Sequence, residues 1–171
     1  GFNPEQALFQ TFALPEAMYP DNARRAAFYV RLEGGLAALP GVSAVGMIDT
    51  ISIGPNHGNM FLRIPGWAED KDPGFSTDFA FCSPGYFRAM GIPLRQGRFF
   101  QSGDLTSGHR AAIINETMAR ACFPNGDALG RQIKSPRDTW EVVGVVGDMH
   151  SRGLSVPVRP TIYVSAATES C

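Results

Sequence analysis

Nothing in this chain is long and apolar enough to cross a bilayer, which takes a hydrophobic run of about 18 residues or more. The longest charge-free stretch, Gly34 to Ile48, is interrupted by Pro40 and several glycines. Lysine is scarce: Lys71 and Lys134 are the lysines, and the other basic residues are arginines. The net charge of −1 gives no electrostatic footprint for nucleic acid or an anionic membrane surface. Cysteine is sparse and widely spaced, at Cys82, Cys122 and Cys171. Without a CxxC or a Cys/His cluster a zinc site has no ligand set, and an odd count argues against a disulfide framework. Cys82 and Cys122 read as small buried apolar residues. An initiator methionine and a secretory signal are also missing, so GFNPEQALFQ reads as part of a longer chain. The expected flanks are one apolar helix before Gly1 and at least three after Cys171.

Catalytic signatures are missing as well. No GxxxxGK[ST] loop occurs, and EVVGVVGDMHSRG (141–153) has glycines at 144 and 147 where a dinucleotide fingerprint needs GxGxxG opening a helix. The following DMHSRGLSVPVRP contains two prolines and cannot begin one. Asp148 and His150 are two potential metal ligands without a third, and His57 and His109 lie in distant glycine-rich loops. DKDPG (70–74) lacks the later acidic ligands of a calcium loop and reads as a charged turn. No GxSxG elbow is present, and Glu116 has no carboxylate partner at a readable spacing. Asn115-Glu116-Thr117 fits a glycosylation sequon, but Asn115 reads better as a helix cap. No catalytic, cofactor-binding or metal site is therefore assigned.

What is present is an alternation of strand and helix patterns across 171 residues, enough for one domain or two small subdomains. ALFQTFAL (7–14) reads as a strand. PDNARRAAFYVRLEGGLAALPG reads as a helix capped by Asp21 or Asn22, with Phe28, Leu32, Leu36 and Leu39 on one face against a sheet. Gly34 and Gly35 each cost about 1 kcal/mol there, so tertiary packing should hold it. Val42–Ile53 would complete a β-α-β opening. MFLRI (60–64) and FSTDFAFC (75–82) are strand patterns. SPGYFRAMGIP then reads as a short helix with Ser83 as N-cap, Pro84 at its first position and Gly91 at its end. Its Tyr86, Phe87 and Met90 should face the core. AAII (111–114), the helix ETMARACF capped by Asn115, the paired strands GRQI and TWEVVGVV, and TIYV (161–164) complete the series.

At SPGYFRAMGIPLRQGRFF (83–100), INETMARACFPNGDALGRQI (114–133) and WEVVGVVGDMHSRGLSVPVRPTIYV (140–164), the order and spacing of these segments resemble a MacB-like periplasmic core domain of ABC-transporter permeases. The duplicated orphan permeases of acidobacteria are the most similar type, and YPDNARRAAFYVRLEGGLAALPGV (19–42) also fits them. The resemblance implies a mixed α/β (α+β) fold: a porter-like β-α-β subdomain, residues 1–100 and 151–171, interrupted by a small inserted α/β subdomain, residues 101–150. It makes Gly144 and Gly147 structural. FFQSGDLTSGHR (99–110) and HSRGLSVPVRP (150–160), with Gly103, Gly108 and Gly153, would be the connectors.

The same resemblance implies a non-enzymatic domain on the periplasmic side of the bacterial inner membrane, without cofactors. Its implied partners are the transmembrane helices of its own polypeptide, a cytoplasmic ABC ATPase, periplasmic proteins and a second copy in a homodimer. It would transmit conformational change or dock partners during export. The competing reading is a soluble periplasmic module binding a lipid or peptide through apolar loops near Phe61 and Trp67; an enzyme is a third class. A deep apolar pocket with convergent polar groups favours the module, and exposed apolar loops without one favour docking.

Overall fold

A computed structural model describes residues 7–49, 58–67, 74–101, 104, 110–136, 138–151, 153 and 155–165. His57, His109, Lys71, Cys171, Gly103, Gly108 and most of DKDPG lie outside the described residues. The elements run α1 (Asn22–Ala37), β1 (Gly58–Leu62), β2 (Phe75–Cys82), α2 (Tyr86–Ala89), β3 (Leu94–Gly97), β4 (Arg110–Asn115), α3 (Glu116–Cys122), β5 (Gln132–Lys134), β6 (Thr139–Val146) and β7 (Thr161–Ser165). The mixed α/β class is what the structure shows.

Among the described residues, seven strands join one mixed sheet in the order β1-β2-β7-β4-β6-β3, with β5 also paired to β6. The pairs β2–β7 and β4–β6 are parallel, and the other ladders are antiparallel. The sheet curls, because Arg63, just past β1, exchanges backbone hydrogen bonds of 2.7 and 2.8 Å with Lys134 at the end of β5. The segment 101–150 contributes β4, β5 and β6, and the rest of the chain contributes β1, β2, β3 and β7. The ladders β4–β7 and β3–β6 therefore carry the sheet across both limits of the expected insertion.

Both faces are covered, so the central strands read as unbroken apolar runs. Along β4, Ala112 and Ile114 enter one core with Leu62, Phe79, Met118, Ile133, Trp140 and Ile162. Ala111 and Ile113 enter the other with Cys82, Tyr86, Phe87, Phe100, Val146 and Tyr163. The period-two geometry of a strand distributes neighbours to opposite faces in this way. β2 accordingly does not alternate cleanly, since six of its eight residues are buried.

Three sequence expectations fail here. Residues 7–14 form no strand: no neighbouring chain pairs with them among the described residues, and Leu8 is 97% exposed. The stretch beginning at Val42 is a strand only at an isolated bridge, Ile48 to Cys82, so the expected β-α-β opening is not formed. Around that bridge Ser83 N donates to Met47 O and Asp49 N to Phe81 O, and a Cβ on Gly46 would lie 2.3 Å from the Cα of Tyr86, so the segment passes close to both β2 and α2. The remainder of that stretch, 50–53, lies outside the described residues. The third concerns α1, which Asp21 caps by accepting from Arg24 N at 2.8 Å. Its expected core face is only partly covered, with Leu36 and Leu39 exposed.

Candidate functional surface

Asp148 follows β6 and is consumed by α3. Its carboxylate accepts from Thr117 N at 2.9 Å, Thr117 Oγ1 at 2.8 Å and Arg120 at 2.8 Å. Burial acts to raise its pKa, but the Thr117 and Arg120 hydrogen bonds outweigh that and hold it below the usual carboxylate value. His150 is exposed, with Nδ1 3.4 Å from Val156 O. The two do not converge on a shared site. Among the described residues no group of three His, Cys, Asp or Glu is placed to hold a metal ion.

Asn115 is 1% exposed and fully engaged, which argues against glycosylation. Its Oδ1 accepts from Met118 N, capping α3, and from Thr161 N; its Nδ2 donates to Arg159 O. One side chain thus ties β4, α3 and the start of β7. Nearby, Thr77 Oγ1 donates to Pro160 O at 2.9 Å, and Arg159 pairs with buried Asp78 at 3.2 Å. Sequence reasoning missed this cluster because its members lie up to 83 residues apart.

Asp104 and Arg98 form a second polar lock, with guanidinium contacts of 2.7 and 2.8 Å. The hydrogen bond from Arg98 holds the Asp104 carboxyl below its ordinary range; burial opposes this, and Gln101 N and the Arg98 charge reinforce it. Cys82 and Cys122 are buried and free. Burial, with Asp49 nearby, raises the Cys82 thiol well above its usual value, and burial pushes Cys122 up to about 12. Neither has the thiolate character of a nucleophile.

Gly144 and Gly147 are places of close approach. A Cβ on Gly144 would lie 2.3 Å from Arg98 O, and one on Gly147 would lie 2.9 Å from the Pro93 ring. Ser83, expected to cap α2, does not: the cap position is Gly85, without a side-chain bond. The Ser83 hydroxyl is occupied elsewhere, donating to Glu33 at 2.9 Å and accepting from Met47 N at 3.0 Å.

Trp67 packs edge-on to Phe75 with ring centroids 4.8 Å apart, and its Nε1 donates to Ala121 O. Phe61 is half exposed on β1. A small polar recess bounded by Phe81, Asp104, Arg110, Trp140 and Ser165 is water-sized. Most of the exposed large apolar side chains among the described residues, such as Leu8, Phe9, Phe12, Met18, Val30 and Leu39, belong to residues 8–42 of the sequence.

The model of the MacB-like periplasmic core domain matches residues 10–170. The macrolide export ATP-binding/permease protein MacB of Aggregatibacter actinomycetemcomitans is 29% identical over 69 residues, 40% of this chain and 11% of that protein. The ABC transporter permease YvrN of Bacillus subtilis strain 168 is 37% identical over 82 residues, 46% of this chain and 20% of that protein. The matched segments thus make up a fifth or less of these longer relatives. The periplasmic region of MacB from Actinobacillus actinomycetemcomitans shares the fold with a TM-score of 0.53 at 18% identity, over 81% of this chain and 55% of that one. The extracellular domain of the transporter YknZ from Gram-positive bacteria gives 0.51 at 22% identity, over 78% and 60%. Matched over nearly its whole length, this chain belongs to the MacB-like periplasmic core domain family of ABC-transporter permeases.

Proposed function

We propose that this domain is a non-catalytic transmitter, passing conformational change between the membrane-embedded part of an ABC permease and partners outside the membrane. The observation that carries the reading is the use made of its chemistry-bearing side chains. Asp148, Asn115, Asp104 and Ser83 are committed to hydrogen bonds that tie elements together. A body with two apolar cores on one sheet is suited to carrying displacement without deforming. Its partners are the transmembrane helices of the same polypeptide, a cytoplasmic ABC ATPase and a second copy of the permease. The β4–β7 and β3–β6 hydrogen bonds join the strands of segment 101–150 to those of the rest of the chain, which supports movement of the sheet as one piece. No catalytic, cofactor or metal residue is assigned.

The test is export by the full-length permease with its ATPase in vesicles. Replacing this domain by a flexible linker should leave nucleotide binding intact and abolish coupled export. Export at the wild-type rate without the domain would refute the reading. The alternative of a lipid- or peptide-binding module has less support, since Trp67 is spent on Phe75 and Ala121.

A further inference from the structure

No residue before Leu62 whose burial is described is buried, although these residues include a four-turn helix and several large apolar side chains. They hold to one another instead. Phe12 meets Phe28 and Tyr29 at centroid distances of 6.2 and 6.1 Å, Tyr19 meets Phe28 at 5.1 Å, and Arg25 donates to Tyr19 O. This aromatic group is separate from both cores of the sheet.

Attachment to the sheet centres on the end of β2. The Ser83 hydroxyl bridges Glu33 of α1 and the Met47 amide, and Ser83 N donates to Met47 O at 2.9 Å. Gly85 lets the chain pass, since a Cβ there would meet Val45 O at 2.0 Å and Glu33 Oε1 at 2.9 Å. Asp49 adds a pair of bonds to Phe81, and Ile48 packs against the core from outside.

We propose that residues 8–47 form a strap that opens from the sheet as one unit, with Ser83 as its latch. Opening removes the bonds of Ser83 to Glu33 and Met47 and partly buried contacts, while both cores of the sheet stay closed. Segments with few buried contacts open at free energies well below that of global unfolding. The movement would change the position of α1 relative to the sheet without altering any strand. The inference concerns this chain alone and stands or falls separately from the transmitter reading.

Hydrogen–deuterium exchange followed by peptide mass spectrometry tests it. A 16-residue helix detached from the sheet is marginal in water and melts, so in the wild-type chain amides of residues 24–38 should exchange together and much faster than those of β4 and β6. Glu33→Ala and Ser83→Ala should each accelerate exchange in that helix by a factor on the order of ten, the effect of losing one or two hydrogen bonds. Exchange in β4 and β6 should not change. Glu33→Ala, on a partly exposed helix position, keeps the test valid if Ser83→Ala disturbs the end of β2. Helix amides that exchange only in step with β4 would overturn the proposal. So would acceleration by neither substitution, since the latch would then hold nothing.

Discussion

Phe87 shows most plainly how single residues hold this domain. It is fully buried, stacks on Phe99 at 5.5 Å and meets Tyr163 edge-on at 5.1 Å. Phe87→Ala should cost about 3–5 kcal/mol, measurable as a lower urea midpoint at unchanged slope. Glycines make the complementary point. Gly144→Ala should destabilise, because its methyl would collide with the Arg98 carbonyl and backbone cannot yield as a side chain can. Gly34→Ala meets nothing within 4 Å in a helix and should stabilise by about 1 kcal/mol. The same urea titrations decide both signs. The sequence shows all these residues but not this contrast, since a glycine's neighbours are set by the fold. Phe87 was legible because a helix as short as α2 forms only by burying its aromatics.

At the scale of elements, α3 depends on chain that arrives later. Asn115 caps it from β4, and Asp148 binds its first turn from the end of β6. Because the folded Asp148 pKa is depressed, its contribution is present above the unfolded value of about 3.9 and lost as pH falls through the folded value. Asp148→Asn should therefore flatten stability against pH in that acidic window and have its largest effect near neutrality. Acid titrations of wild type and variant, followed by circular dichroism, should diverge above about pH 4 and converge below it. Curves parallel across the whole range would exclude the role. Asn115 was readable from the sequence because capping is local; Asp148 was not, because its partners lie 28 and 31 positions earlier. Strands β2, β4, β6 and β7 were legible from β-rich runs, whereas 7–14 has a strand pattern and no partner. The face of α1 misled in the same way: helical spacing marks a face that can be buried, and packing decides how far it is.

For the whole molecule, family and mixed α/β class were visible in the order of motifs. The single sheet was not, because parallel pairs such as β4–β6 join segments that no local pattern links. Movement of the sheet as one piece, as proposed above, has a direct consequence. Arg95 on β3 and Glu116 on α3 form a partly exposed ion pair at 3.4 Å across the proposed segment boundary. Cysteines at both positions, joined by a short thiol cross-linker in the full-length permease, should leave coupled export unchanged; suppression would mean that 101–150 moves against the rest. The central claim is that the domain moves when ATP is used in the cytoplasm. Its most direct test is a spin label at Leu129, 43% exposed, in each copy of the full-length permease assembled with its ATPase. Pulsed electron resonance then gives the distance between copies with and without trapped nucleotide. The account predicts a displaced distance distribution in the trapped state, and an identical distribution in both states while ATP is turned over would contradict it.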